Sequence, residues 1–229
     1  MCGRYSLTET PSLEQRFLAE FAEQGWLRAR YNIAPTQDVP AVVQAFHRDR
    51  PGRTIERMRW GLVPFWSKDT KTAYRLINIR AESFSEKRTF QPHLHSKRCL
   101  IPASGFFEWR REGRQRRPYH VRVRGEPVFA FAGIRDRWRG SDGAVVDSCS
   151  IVTVPANELV ATIHDRMPAI LPQEAEGLWL DPAHSREEEL LPLLRPFPAG
   201  SMEMYEVGPA VNSVRNESPE LLTPIAKPS

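Results

Sequence analysis

No stretch of about eighteen or more apolar residues occurs in the sequence, and its start lacks a basic segment followed by a hydrophobic one. Neither a membrane span nor a secretion signal is therefore expected. Cysteine is scarce. Only Cys2, Cys99 and Cys149 occur, the last two inside apolar stretches, which excludes a disulfide scaffold and predicts reduced thiols in the cytoplasm. Lysine is scarcer relative to its partner cation: 27 of the 32 basic residues are arginine. The planar guanidinium fork suits phosphate, although a GC-rich coding sequence produces the same bias. A net charge of +4 permits a nucleic-acid partner without demanding one. There is no internal repeat, low-complexity tract or composition break that would mark a linker. Residues 1–229 are read as one domain with a tail from about residue 218.

With 41% hydrophobic and 10% aromatic residues the chain can build a full core. Thr10 and Pro11 look like an N-cap and first helical position, after which Leu13, Phe17, Leu18 and Phe21 keep one apolar face until Gly25. Short strands are expected at 41–46, 55–62, 99–102, 106–110, 119–123, 128–134, 149–154 and 167–171. They follow one another too closely for a repeated strand-helix-strand plan. Further helices are expected at 83–93, 173–180 and 185–194, hairpin turns at Gly113, Gly125 and Gly143, and surface connections in the proline-rich part after Leu190. The predicted class is α+β: a single domain built on a curved, mainly antiparallel β-sheet or barrel-like core with a few flanking helices.

The second residue carries the most distinctive chemistry. Cysteine is small enough for Met1 to be trimmed ahead of it, which leaves an α-amine and a thiol on adjacent carbons of Cys2. These titrate at about 7.7–8.0 and about 8.5, so some of each is nucleophilic at neutral pH. An aldehyde can form an imine with the amine and then close onto the sulfur as a five-membered thiazolidine. The plainer reading is a small apolar residue near a chain end.

Other polar runs exceed what a simple core needs: 30–35 (RYNIAP), 60–66 (WGLVPFW), 77–82 (INIRAE), 104–109 (SGFFEW) and 163–168 (IHDRMP). Singly each has a structural explanation. Asn78 can satisfy a backbone group, Glu108 can pair with an arginine, and His164 can sit in a capped turn. His93, His95 and Cys99 have metal-ligand residue types, but exposed helix-end histidines are the commoner meaning, and no metal or cofactor is assigned.

Taken in order, Cys2-Gly3-Arg4 and the runs 30–35, 60–64, 78–82, 105–109 and 164–168 resemble the SOS-response-associated peptidase family, and residues 211–216 resemble its closing segment. Members of that family are abasic-site processing proteins. The family name records an older proposal of protease activity. The resemblance implies that Cys2 captures the C1′ aldehyde of a ring-opened abasic deoxyribose in single-stranded DNA as a thiazolidine. It further implies that Asn78 orients the opened sugar or the amine, that Glu108 shuttles protons, and that His164 is a general acid/base in ring opening and reversal. Arg4, Arg80 and Arg166 are then expected on flanking phosphates, and Trp66 and Pro35 as an apolar wedge that stacks on a base. The family often has a second aromatic after this tryptophan. Here Ser67 follows it and Phe65 precedes it, which bears on preference for single-strand/double-strand junctions.

The expected protein is thus a cytoplasmic monomer, nucleoid-associated during repair, with lyase-type crosslinking activity. Two rivals stay beside it. One is a cysteine peptidase that removes Met1 autocatalytically using Cys2, Glu108 and His164. The other is a noncovalent single-stranded DNA binder.

Overall fold

The computed structural model describes residues 2–47 and 50–225. In chain order its strands are β1 (Tyr5–Leu7), β2 (Ala19–Phe21), β3 (Arg30–Ile33), β4 (Asp38–His47), β5 (Arg50–Trp60), β6 (Asn78–Arg80) and β7 (Arg98–Ala103). They continue with β8 (Gly105–Glu112), β9 (Gln115–Val123), β10 (Phe129–Arg139), β11 (Val145–Pro155), β12 (Arg166–Pro168), β13 (Ile170–Leu171) and β14 (Met202–Glu206). Strands β11, β10, β7, β4 and β5 pair antiparallel in that order. The ring then closes through a parallel contact, Arg59 opposite Ser148 and Trp60 opposite Cys149. Closure removes the sheet edges that would otherwise expose unpaired backbone groups.

Every residue of β7 is buried, because its outer face lies under the helix Gln173–Leu180, whose Trp179 donates its indole N–H to Cys99 O at 2.9 Å. A second antiparallel sheet, ordered β14-β9-β8-β1-β3, lies against the barrel. Its Tyr5 meets Trp60 edge-on at 5.2 Å and its Phe106 meets Phe131 at 6.2 Å, so one continuous apolar core joins both sheets. The α+β, barrel-cored class read from the sequence is the fold observed. Among the described residues no helix is long and apolar enough to cross a membrane.

Several local expectations need correction. The helix expected from Thr10 to Gly25 is a turn of 3-10 helix, Thr10–Ser12, followed by Leu13–Phe17, and it ends where Leu18 turns left-handed at φ 49°. Residues 19–21 become β2 because they find ladder partners along β5, and those hydrogen bonds outweigh continuation of an amphipathic helix. The helix expected at 83–93 breaks into Ser83–Glu86 and Gln91–Ser96 with Lys87 extended between them. Pro92 fits only the first turn of a helix, so the second piece must start there. The helix expected at 185–194 is Glu187–Leu190 followed by 3-10 helix Leu191–Leu193.

Residues 30–33, expected as loop, are a strand beside β1, and 167–171 is two short strands rather than one. Gly113 and Gly143 lie in hairpins, but Gly125 joins β9 in one sheet to β10 in the other. The chain after Leu190 also supplies a strand, β14, and Pro219–Leu222 forms a 3-10 turn whose Leu221 is buried with Phe107, Val207 and Val211.

Candidate functional site

Two short strands bring the site together. Pairing of Tyr5 with Phe106 and Ser6 with Gly105 continues through Phe107 N–H donating to Arg4 O at 2.9 Å, which sets Glu108 alongside the chain start. From the other side, β6 runs parallel to β11, with Asn78 opposite Ile151, and reaches the same place. The Asn78 side-chain N–H donates to Cys2 O at 2.7 Å, while the buried Asn78 Oδ1 has no hydrogen-bond partner among the described residues. An unfilled buried acceptor is costly, so a donor at this point would be welcome.

Cys2 is fully buried, and its Sγ lies 3.7 Å from Arg4 O. Burial, reinforced by the nearby Glu108 carboxylate, pushes its thiol far above the ordinary range. Glu108, also buried, has its own pKa raised by desolvation, with the His164 charge pulling in the opposite direction. His164 follows the helix Glu158–Ala161 and is about one quarter exposed. Its Nδ1 lies 3.0 Å from the Arg166 N–H, 3.0 Å from Asp165 Oδ1 and 3.2 Å from Arg166 O. A neutral ring accepts at Nδ1 from Arg166 and carries its proton on Nε2. A protonated ring donates from Nδ1 to the carboxylate or the carbonyl. The ring is thus held in place by its neighbours at Nδ1.

The remaining residues singled out in the sequence fall into two groups. Arg4 and Arg166 are held by the protein itself. Arg4 Nη1 donates at 2.7 Å to both Asn32 Oδ1 and Val211 O, and Arg166 makes a bidentate pair with Glu82 at 2.6 and 2.9 Å plus a bond to Thr153 O. That pair holds the Glu82 carboxyl below the usual range. Asn32 donates to Ser213 O and Asn216 O, which explains why runs 30–35 and 211–216 occur together: one fastens the other. Arg80, Trp66 and Pro35 form the accessible group. Arg80 is exposed on β6, Trp66 is 56% exposed, and Pro35 is partly exposed in the turn after β3.

Trp66 stands out on a backbone that is thoroughly tied down. Gly61 N–H donates to Cys149 O, Leu62 N–H to Leu76 O, Val63 N–H to Ser148 Oγ and Phe65 N–H to Asp136 Oδ2. A Cβ on Gly61 would come within 2.5 Å of Ala73 O, and its φ of 127° also requires glycine. Asp136 is a residue the sequence did not flag. Buried on β10, it takes hydrogen bonds from His93 Nε2 at 3.0 Å and Lys97 Nζ at 2.6 Å, and these hold its pKa down to about 2 despite burial. Lys97 in turn sits over the Phe65 ring at 4.7 Å. No spacing could have shown this, because the partners lie 43, 39 and 71 residues away. His93 is therefore a buried hydrogen-bond partner of Asp136 and not an exposed helix-end histidine. Among the described residues no cluster of His, Cys, Asp or Glu is placed to hold a metal.

A cavity of about 840 Å³ is lined by residues that include Thr8, Ser104, His120, Arg122 and Tyr205, and none of Cys2, Asn78, Glu108 or His164 lines it. The site is defined by convergent polar groups and not by cavity size. Cys99 and Cys149 are buried free thiols in the barrel, and burial raises both.

A family model described as SOS response associated peptidase (SRAP) matches residues 1–214. Abasic site processing protein YoqW of Bacillus subtilis is 40% identical over 225 residues, covering 97% of this chain and 99% of that protein. Abasic site processing protein HMCES of Gallus gallus is 35% identical, covering 90% of this chain and 69% of that protein. A crystal structure of a protein from Bacteroides thetaiotaomicron superposes with a TM-score of 0.87 at 30% identity, covering 98% of this chain and all of that one.

Proposed function

The chain belongs to the SOS response associated peptidase family, and on that footing we propose that it captures abasic sites in single-stranded DNA covalently through Cys2. Once Met1 is removed, the Cys2 amine attacks the C1′ aldehyde of the ring-opened sugar, and water leaves as the imine forms. The thiol then adds across the C=N bond, its sulfur to carbon and its proton, by way of a base, to nitrogen. A thiazolidine results, with no oxidant or other reactant consumed.

The observation that carries this reading is the Asn78 bridge to Cys2 beside Glu108. Asn78 Nδ2 fixes the Cys2 backbone, and its unfilled Oδ1 suits an amine N–H or a sugar hydroxyl. Glu108 with its raised pKa is poised to take the thiol proton and return it to nitrogen. His164 serves ring opening and reversal as a proton donor and acceptor, its ring held in place at Nδ1. Arg80 meets a flanking phosphate, and Trp66 and Pro35 form the stacking wedge. Arg166 and Arg4 act at one remove, shaping the walls that carry His164 and Cys2. The protein acts as a single-domain monomer in the cytoplasm.

A peptidase requires a ready thiolate as nucleophile. Burial and the Glu108 carboxylate oppose one at Cys2, which favours amine-first aldehyde chemistry over peptide cleavage. The deciding experiment incubates the mature protein with single-stranded DNA bearing one abasic site and reads a denaturing gel. A shifted band with abasic DNA and none with intact DNA is expected. In Cys2→Ser the imine still forms but the stable band is lost, and strand cleavage by β-elimination rises. Absence of any shifted band with the wild type sinks the proposal.

A further inference from the structure

Beyond Pro35, on the side away from Trp66 in sequence, lies a groove of about 500 Å³ whose lining includes Trp26, Arg28, Arg30, Thr36, Asp38 and Arg57. Its size fits a nucleotide rather than a buried water cluster. Arg57 pairs with Asp38 at 2.6 Å and lies over the Trp26 ring at 5.4 Å, making a cation–aromatic stack with one layer supplied by the protein. Arg30 is spent on Glu217 and Gln37. Arg28 is exposed and has no ion-pair partner among the described residues, so the groove retains one available cation at its rim.

Two features of the groove are unexplained by folding alone. The Trp26 indole Nε1 is buried and has no hydrogen-bond partner among the described residues. Thr36 has φ 71°, a left-handed conformation that a β-branched residue rarely adopts, and strain of this kind collects where ligands are clamped. Thr36 N–H donates to Trp60 O at 2.7 Å, which ties the groove to the start of the segment that presents Trp66, while Pro35 adjoins it directly. Ile33, a lining residue, lies opposite Tyr5 in the β1–β3 pair, one strand away from the chain start.

We propose that this groove is a second subsite for single-stranded DNA, holding a nucleotide on the strand that runs on from the captured sugar past Pro35. The base stacks on Trp26 from the side opposite Arg57, and Arg28 meets the phosphate. The inference rests on the reading of the protein as an abasic-DNA binder. Charge and stacking together favour a nucleic-acid strand over a peptide, because an arginine-backed aromatic face and a free cation match a base and its phosphate.

The test measures noncovalent binding by anisotropy in a Cys2→Ala background and adduct formation in the wild-type background. The oligonucleotides carry an abasic site with one nucleotide on each side, or are lengthened on the 5′ or the 3′ side only. Lengthening on one side should tighten binding, and Trp26→Ala should remove most of that gain, by roughly tenfold. Arg28→Ala should reduce the slope of log K against log salt by about one for the long strand only. Adduct yield with the short oligonucleotide should be unchanged in both variants. Trp26→Phe, which keeps a stacking ring, guards against misfolding and should lose only part of the gain. Affinity independent of length, or variants indistinguishable from wild type on long strands, overturns the subsite while leaving the capture reaction standing. So does equal tightening by a free mononucleotide with no effect of strand length. A wild type that makes no adduct with any oligonucleotide instead overturns the proposed function.

Discussion

The Asn78 side chain donates to the carbonyl oxygen of Cys2 at 2.7 Å across 76 residues of sequence. A strand that is held parallel to β11 thereby grips the chain start and fixes where the Cys2 nucleophiles sit. Asn78→Ala should slow adduct formation by roughly tenfold to a hundredfold, because loss of one orienting contact displaces the reacting atoms. Asn78→Asp should do the same, since its carboxylate would face the Cys2 carbonyl with acceptor against acceptor. Quenched-gel time courses at saturating DNA measure this, and a wild-type rate in both variants would remove Asn78 from the site.

Glu108 has a pKa raised above 4.5 by burial. As the base that takes the thiol proton, it works only when ionised, so capture should rise with pH through a limb displaced above that value. Glu108→Gln should abolish the limb and reduce the rate by about a hundredfold. Because the folded protein disfavours the ionised form, the shift destabilises the fold once pH exceeds the ordinary carboxyl range. Glu108→Gln should therefore be at least as stable as wild type at neutral pH. A variant that is both slow and markedly less stable would indicate a structural role.

Gly105 and His120 form a second coupled pair. A Cβ on Gly105 would lie 2.2 Å from His120 Nε2, which is hydrogen-bonded to Ser6 Oγ at 3.1 Å. Gly105→Ala should cost about 1–3 kcal/mol by overpacking, and a smaller side chain in His120→Ala should relieve part of that penalty in a double-mutant cycle. Burial also depresses His120 to about 3, so the unfolded chain binds its proton first as pH falls below about 6.5. Stability from this group is complete above that pH and is lost progressively toward pH 3, with a slope of at most about 1.4 kcal/mol per pH unit. Urea midpoints across that window, which should flatten in His120→Phe, give the measurement.

Asp136 fastens the turn that presents Phe65 and Trp66. Asp136→Asn removes the carboxylate that His93 and the half-buried Lys97 face, and losing these charge-assisted hydrogen bonds costs about 1–3 kcal/mol. Leu13→Ala, buried in the helix Leu13–Phe17, provides a destabilised control. If the anchor matters for function, Asp136→Asn should weaken DNA binding further than that control at a temperature where both are folded. Equal affinities would confine Asp136 to stability.

Much of the fold was legible because short, nearly continuous apolar runs mark single buried strands: β4, β7, β10 and β11 all overlap stretches visible in the sequence. The misses share a cause. Residues 19–21, 30–33 and 78–80 are strands only because a distant edge offers hydrogen bonds, and strands of three or four residues leave no periodicity to detect. The break in the second helix does have a sequence signal, Pro92, which the expected span 83–93 passed over.

The amino-acid sequence by itself determined the chemistry available: an aminothiol once Met1 is removed, a carboxylate, an amide, an imidazole and an arginine-rich surface, in an order that marks the family. Tertiary structure alone decided what those groups meet. It placed Asn78 on Cys2, drew Glu108 into a buried setting that raises its pKa, gave Arg166 to Glu82, and left Trp66 standing in solvent on a pinned turn. Contacts and desolvation depend on elements that converge from far along the chain. Spacing along a sequence cannot report either one.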